Sequence, residues 1–165
     1  MLEAGRAGWG PSGRNGGFLH GYWSGIGWLR DLVGDAAAVA LCRAADGAIP
    51  AVRHLGADVW LHEAGMLRVS TTPSQEAAID RTVAAGRAVG APEEALALTP
   101  SEVRARCHSP RFRRGVFFRD GATVQPARLV LALRSAVLAA GVQLHERSPA
   151  AVSYTHLTLP TTERV

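Results

Sequence analysis

The sequence predicts an α/β fold, with α+β character overall, from three observations. Residues 125–146 read as a helix, a glycine and a β-branched strand, which is the order in which an α/β crossover returns to a parallel sheet. Leu2 and Glu3 predict the end of another strand, and the glycine-rich segment GWGPSGRNGG follows closely at 8–17. Between these two parts, capped helices alternate with short apolar strands.

Length and composition indicate a globular protein. The chain has 165 residues, of which 47% are hydrophobic and 19% charged, enough for one domain with a core. No apolar run approaches the length of a membrane span, and the first residues lack a signal-peptide pattern. Cys42 and Cys107 are isolated from each other and from histidine, so the sequence predicts a reduced cytoplasmic protein in which the two thiols are packing or inert.

The basic charge does not predict a nucleic-acid partner. The net charge is +4 with a pI of about 10.0, but all 18 basic residues are arginines. They are scattered, apart from Arg111, Arg113 and Arg114, and no aromatic stacking platform is interleaved with them. Neither nucleic acid nor a membrane is therefore expected as a partner.

The first half of the chain predicts one helix and a hairpin. Asp35 is placed to cap a helix over 36–45, and Gly47 with Pro50 predicts a break before 52–55. Residues 58–62 and 66–71 predict two short strands joined as a hairpin.

The second half carries repeated helix-start signals. TPSQ at 72–75 predicts a capping box and a helix that runs to Val89. TPSE at 99–102 repeats the signal for a short helix to about Arg106, and 115–118 predicts a strand.

The last helix and strand are the best defined. The helix over 125–141 carries one apolar stripe, formed by Val130, Leu133, Val137 and Ala140, and Gly141 is placed to end it. A strand is then expected over 142–146.

The last residues differ in amino-acid composition from the rest of the chain. VSYTHLTLPTTERV at 152–165 is rich in threonine and closely resembles the translated read-through of a sequencing-library adaptor. The sequence therefore predicts a non-native tail over 151–165, with the genuine protein ending near Ala150 or Ala151. An edge strand over 154–159 is the alternative, because threonine and leucine alternate there.

The opening segment suggests nucleotide binding. In a dinucleotide-binding fold, an acidic side chain at the carboxyl end of the second strand accepts hydrogen bonds from ribose hydroxyls. Glu3 occupies such a position, and the glycines that follow leave backbone N–H groups accessible to phosphate oxygens. Ser12 and Arg14 add a hydroxyl and a guanidinium. The alternative is a surface loop beside a solvated glutamate.

Longer stretches point to a family. LEAGRAGWGPSGRNGGFLHGYW resembles the segment after the second strand in flavin-dependent amine and amino-acid oxidoreductases of the D-amino-acid oxidase superfamily, above all the glycine oxidase and gamma-glutamylputrescine oxidase branch. DVWLHEAGMLRVSTTPSQ and GATVQPARLVLALRSAVLAAGVQLHE resemble later stretches in the same order, so the resemblance covers 1–150. It implies that Glu3 binds the ribose of FAD. It also implies that six residues follow the pyrophosphate toward the flavin: Ser12, Gly13, Arg14, Asn15, Gly16 and Gly17.

The resemblance also implies a domain division with parts missing. Members of the family begin with a strand and a GxGxxG turn that holds the pyrophosphate, and this turn would precede Met1. The chain is therefore expected to be a fragment truncated at both ends. Residues 1–33 and 126–150 would belong to a Rossmann-like FAD-binding domain, and residues 34–125 to a substrate domain with antiparallel strands.

The implied activity is oxidation of a C–N bond in a small-molecule amine or amino acid, by hydride transfer to FAD with oxygen as acceptor. A dehydrogenase with another acceptor and a non-enzymatic nucleotide-binding domain are the alternatives. The fragment alone is expected to be inactive. No catalytic side chain is assigned; His20 and Tyr22 are secondary candidates near the flavin, and no histidine has metal-ligand spacing. The sequence does not define the amine or the oligomeric state.

Overall fold

The computed structural model describes residues 1–150, so the predicted adaptor-like tail lies outside the described residues. The chain forms two compact units. Of the described residues, unit 1 comprises 1–15 and 126–150, and unit 2 comprises 16–125. The predicted mixture of helices and antiparallel strands is confirmed.

Unit 2 contains the helices that build the core. They are α1 Ile26–Val33, α2 Asp35–Ala45, α3 Ala48–His54, α4 Pro73–Ala88 and α5 Pro100–Arg106. The largest buried side chains are those of Trp23, Ile26, Ile79 and Phe118, each at most 2% exposed. Ile26 belongs to α1 and Ile79 to α4, whereas Trp23 lies in the short 3-10 turn before α1 and Phe118 in an extended segment at 115–118. These side chains meet in one core, in which α4 packs against both α1 and that extended segment.

Six short strands of unit 2 form two antiparallel sheets. The strands are β1 Phe18–His20, β2 His62–Glu63, β3 Met66–Val69, β4 Leu96–Leu98, β5 Gly115–Phe118 and β6 Gly121–Thr123. The first sheet has the order β1-β6-β2 and the second the order β3-β5-β4. The strand predicted over 115–118 is confirmed, and it is the central strand of the second sheet.

The predicted hairpin over 58–71 is wrong. β2 pairs with β6 and β3 pairs with β5, so the two segments lie in different sheets. Trp60 has φ 56°, a left-handed conformation that ends the extended run and leaves only His62–Glu63 as a strand. Between β2 and β3, the Gly65 N–H donates to the Gly121 carbonyl at 2.8 Å, which directs the two strands to separate partners.

The helix starts predicted from capping boxes are confirmed. In α4 and α5 the threonine side chain and the third helical residue exchange bonds with the backbone. α4 ends at Ala88, and Gly90 has φ 75° as expected for a glycine after a helix. The predicted cap of α2 is wrong: Gly34 is the N-cap and Asp35 is the first helical residue, where its carboxylate pairs with Arg30 at 2.8 Å.

The described residues of unit 1 form one α-helix, a short 3-10 turn and a minimal parallel pairing. α6 spans Pro126–Ala139, and Gly141 follows it with φ 81°. The predicted strand over 142–146 is reduced to one parallel bridge between Leu2 and His145. None of the described residues of unit 1 is buried, and Leu133 on the predicted apolar stripe is 48% exposed.

The two cysteines have opposite environments. Cys42 is fully buried in the core, as predicted, and burial raises the pKa of its thiol to about 11. Cys107 is exposed at the end of α5, so it does not pack in the core, and its inertness stays a prediction. Both thiols are free.

Candidate cofactor site

Glu3 lies directly after the parallel bridge. Its backbone N–H donates to the His145 carbonyl at 2.9 Å, and its carbonyl accepts from the Ser148 N–H at 2.9 Å. The side chain is half-buried, and one carboxylate oxygen accepts from the Gly5 N–H at 2.8 Å. This arrangement holds an acidic group at the end of a parallel segment, the position that the sequence predicted for it.

Ser12, Gly13, Arg14 and Asn15 form one compact turn. Pro11–Gly13 is a single 3-10 turn, in which the Gly13 N–H donates to the Gly10 carbonyl and the Arg14 N–H to the Pro11 carbonyl. The Asn15 amide donates to the Pro11 and Ser12 carbonyls, which closes the end of the turn. The backbone donors of Gly13 and Arg14 therefore serve the loop itself, and its exposed polar groups include the Ser12 hydroxyl and the Arg14 guanidinium.

Two of the glycines are required by packing within unit 1. A Cβ added to Gly13 would lie 2.1 Å from the Gly8 carbonyl oxygen, which no side chain tolerates. Gly8 itself has φ 83°, and an added Cβ would lie 3.0 Å from Val130 of α6. The sequence interpretation assigned these glycines to close approach of a ligand; at Gly8 and Gly13 the close neighbour is the protein.

Cationic and aromatic groups surround this turn. The Arg14 guanidinium lies 4.3 Å from the centroid of the exposed Trp9 ring. A cavity of about 370 Å³ on one side of Trp9 is lined by Gly5, Arg6 and Arg147. A second cavity, of about 300 Å³, touches the turn and the start of α6. Two arginines and an indole next to the Glu3–Gly5 segment form an environment suited to an anionic, aromatic ligand.

An ion pair anchors the start of this loop to α6. Glu146 accepts from the Ala7 N–H at 2.9 Å and forms a two-point ion pair with Arg134, at 3.1 and 2.8 Å. Arg134 and the Ala7 N–H lower the pKa of Glu146 to about 2. Sequence reasoning missed this anchor, because 139 residues separate Ala7 from Glu146 and no local pattern connects them.

Gly16 and Gly17, the last two of the predicted cofactor residues, begin unit 2. Gly17 is buried with φ 70°, and its carbonyl accepts from the Val124 N–H at 2.8 Å. A Cβ at Gly16 would lie 2.9 Å from the Phe18 ring. These two glycines shape the entry of the chain into β1.

The secondary candidates lie just beyond, in unit 2. His20 is exposed, and its Nδ1 lies 3.0 Å from the Gly21 carbonyl. Tyr22 is 56% exposed. The next backbone N–H, that of Gly21, donates to Asp120, a contact that the sequence did not reveal; burial raises the pKa of this carboxyl group.

Residues 1–150 contain no group of three or more histidine, cysteine or acidic side chains arranged to hold a metal ion. No helix in this described part combines the length and the apolar character that crossing a membrane requires.

Comparison with solved structures defines the fold. Glycine oxidase from Geobacillus kaustophilus matches with a TM-score of 0.68 and 23% identity, over 88% of this chain and 39% of that one. Glycine oxidase from Bacillus cereus ATCC 14579 matches with a TM-score of 0.60 and 18% identity, over 88% of this chain and 38% of the other. The chain thus has the fold of part of a glycine oxidase and spans less than half the length of either protein.

The sequence itself identifies the family. The FAD dependent oxidoreductase family model matches residues 1–155, which is nearly the whole chain. The chain therefore belongs to the FAD dependent oxidoreductase family, whose cofactor is FAD, and the predicted family is confirmed. No curated protein matches the sequence.

Proposed function

We propose that unit 1 carries most of the FAD contacts of an oxidoreductase that acts on a C–N bond of an amine or amino acid. The observation that carries the proposal is the placement of Glu3 at the end of the parallel segment, followed by the compact turn at Ser12–Asn15. An acidic side chain in this position accepts hydrogen bonds from ribose hydroxyls in dinucleotide-binding folds. Membership in an FAD-dependent family supports the same assignment.

The donor set fits FAD. Of the predicted cofactor residues, Glu3 would hold the ribose, and Ser12 with Arg14 would contact the pyrophosphate through a hydroxyl and a guanidinium. Gly13 and Asn15 keep the turn in shape. Gly16 and Gly17 remain proposed contacts along the path toward the flavin. The cavity beside Gly5, with Arg6, Arg147 and Trp9, offers cationic and aromatic groups to the adenosine end of the cofactor.

The proposed reaction is a two-electron oxidation. The C–N bond of a small amine or amino acid becomes an imine, which water hydrolyses to a carbonyl compound and an amine or ammonia. Bound FAD supplies the hydride acceptor, and oxygen is the proposed final acceptor, giving hydrogen peroxide. The role of the residues of unit 1 is to bind and orient the cofactor. The two glycine oxidase structures of the same fold support an amino-acid substrate.

The test of the cofactor site is a pair of matched carboxylate variants in the full-length protein. Glu3→Gln removes the charge that accepts from the ribose, and we expect the FAD dissociation constant to rise about tenfold or more. Glu93→Gln, an exposed acid of unit 2, is the control and should leave it unchanged. Flavin fluorescence during titration measures both. Equal affinity in the two variants would contradict the assignment of Glu3.

A second measurement separates the candidate activities. Amine-dependent release of peroxide is expected from an oxidase, whereas a dehydrogenase of the same fold would reduce an artificial electron acceptor without peroxide. A flavin spectrum with no response to any amine would favour the non-enzymatic nucleotide-binding domain.

A cytoplasmic location belongs to the same proposal. Two free thiols, one of them exposed at Cys107, suit a reducing compartment. The partners that we propose are small molecules, the cofactor and an amine or amino acid, with neither nucleic acid nor a membrane.

A further inference from the structure

A cavity of about 520 Å³ lies in unit 2 between the end of α5 and the β3-β5-β4 sheet. We call it the sheet cavity. Its apolar surface comes from Leu67 and Val69 of β3, Phe117 of β5 and Phe112. Because Met66 of the same strand packs against the helix-covered core, the alternating residues Leu67 and Val69 face the opposite side of the sheet. The volume lies within the range of about 300–1,000 Å³ typical of small-molecule sites.

Charge at the sheet cavity has one sign. Among the described residues that line it, Arg106 is the charged one, and none is acidic. The Arg106 guanidinium lies 5.3 Å from the centroid of the Phe117 ring and donates to the Glu102 carbonyl at 3.2 Å. The Glu102 carboxylate, one turn earlier on α5, is engaged with the Thr99 N–H at 2.8 Å and the Thr99 hydroxyl at 2.7 Å.

The charge of Arg106 helps to lower the pKa of the Glu102 carboxylate, after the two bonds from Thr99, but the hydrogen bond described for its guanidinium goes to a carbonyl and not to a carboxylate. The guanidinium can therefore still receive an anion at the rim of an apolar cavity. Two nearby arginines, by contrast, form ion pairs with carboxylates of α4. Arg113 pairs with Glu76, and Arg114 pairs with Asp80. An anion next to Arg106 would gain charge-assisted hydrogen bonds, and an apolar body attached to that anion would cover Leu67, Val69 and Phe117.

We infer that the sheet cavity is a binding site for a small carboxylate with an apolar tail, with Arg106 as its anion contact. The assignment is independent of the proposed FAD site, since it rests on residues of unit 2 alone. It predicts discrimination by charge: an acid should bind, and the alcohol of the same chain length should bind more weakly.

The exposed thiol of Cys107 gives a direct readout, because it lines the sheet cavity. The full-length protein is alkylated with iodoacetamide, and modification of Cys107 is followed by peptide mass spectrometry with hexanoate or hexanol present. Hexanoate should slow the alkylation of Cys107, and hexanol should need about tenfold higher concentration for equal protection. The buried thiol of Cys42 stays unmodified as long as the core is intact.

Variants of Arg106 complete the test. Arg106→Gln should raise the concentration of hexanoate for half-protection about tenfold or more, and Arg106→Lys should retain part of the protection. Arg104→Gln, on the same helix but outside the cavity lining, is the matched control and should behave as the native chain. Three results would each overturn the inference: no protection by hexanoate, equal protection by hexanol, or undiminished protection in Arg106→Gln. Flavin absorbance, recorded in parallel, reports on the FAD site separately.

Discussion

Glu146 shows how a single side chain secures the loop that carries the proposed cofactor contacts. Its carboxylate joins the Ala7 backbone to Arg134 of α6. The pKa of the group falls from 4.5 to about 2 through these two contacts. Because the folded pKa is below the unfolded one, the stabilisation is complete above about pH 4.5 and is lost as the pH falls through about 2.

This linkage gives a prediction at the residue scale. In an NMR titration of the chain, the Ala7 amide should report a midpoint near pH 2, the pKa of its acceptor Glu146. Arg134→Gln removes the cation that lowers this pKa, so the midpoint should move toward 4.5. Arg87→Gln, in unit 2, serves as the control. A midpoint that stays near 2 in Arg134→Gln would mean that the ion pair is not the cause.

The role of a residue was predictable from the sequence when its contacts lie within a few residues, and not when its partner is distant in sequence. Thr72 and Thr99 were identified as helix caps because the bonds that they make lie within a few residues. The roles of Glu146 and Asp120 were not identified, because their partners Ala7 and Gly21 are distant in sequence. In the candidate site, sequence reasoning found the polar residues of the turn but not what fixes the turn in place.

At the scale of elements, Gly65 lies between β2 and β3, which belong to different sheets. It has φ 74°, and an added Cβ would lie 2.2 Å from the Phe117 ring and 2.8 Å from the Phe118 carbonyl oxygen. The hairpin expected from local alternation does not form. β2, which precedes this glycine, pairs with β6, and β3, which follows it, pairs with β5. Pairing with strands some 50 residues later overrode the local pattern.

A glycine pair tests this reading of the fold. Gly65→Ala combines left-handed strain with overpacking and should lower the free energy of unfolding by roughly 2–5 kcal/mol. Gly56 also has a positive φ, of 66°, but a Cβ added there would have no atom within 4 Å, so Gly56→Ala introduces the backbone strain alone. It should cost only about 1–2 kcal/mol. Urea denaturation of both variants measures the difference, and equal losses would show that the packing at Phe117 is not the deciding factor.

At the scale of the whole molecule, the two units differ in how many buried apolar side chains they contain. All the side chains of the described core lie in unit 2, whereas the described part of unit 1 has none. α6 leaves Leu131 55% and Leu138 40% exposed. The helix was predictable from its apolar stripe, but the sequence did not show that Leu133 on the stripe, and Leu131 and Leu138 beside it, would remain largely exposed.

This asymmetry predicts a gradient of stability. In hydrogen–deuterium exchange of the 165-residue chain, the amides of α6 should exchange much faster than those of α4, since little apolar burial opposes local opening of α6. For the same reason, FAD should not remain bound to this chain after desalting. Equal protection of the two helices, or a yellow protein with stoichiometric flavin, would contradict the prediction.

The hydrogen bond from the Val124 N–H to the Gly17 carbonyl, 2.8 Å long, joins the beginning of unit 2 to its end. β1 and β6, which follow and precede these residues, are paired side by side. Because the two ends of this segment lie side by side, we expect that it can be excised or exchanged without stretching the chain on either side. Residues 16–125, produced alone, should accordingly fold as an independent domain with a cooperative melting transition. The corresponding segment of a related protein should likewise be accepted between Asn15 and Pro126.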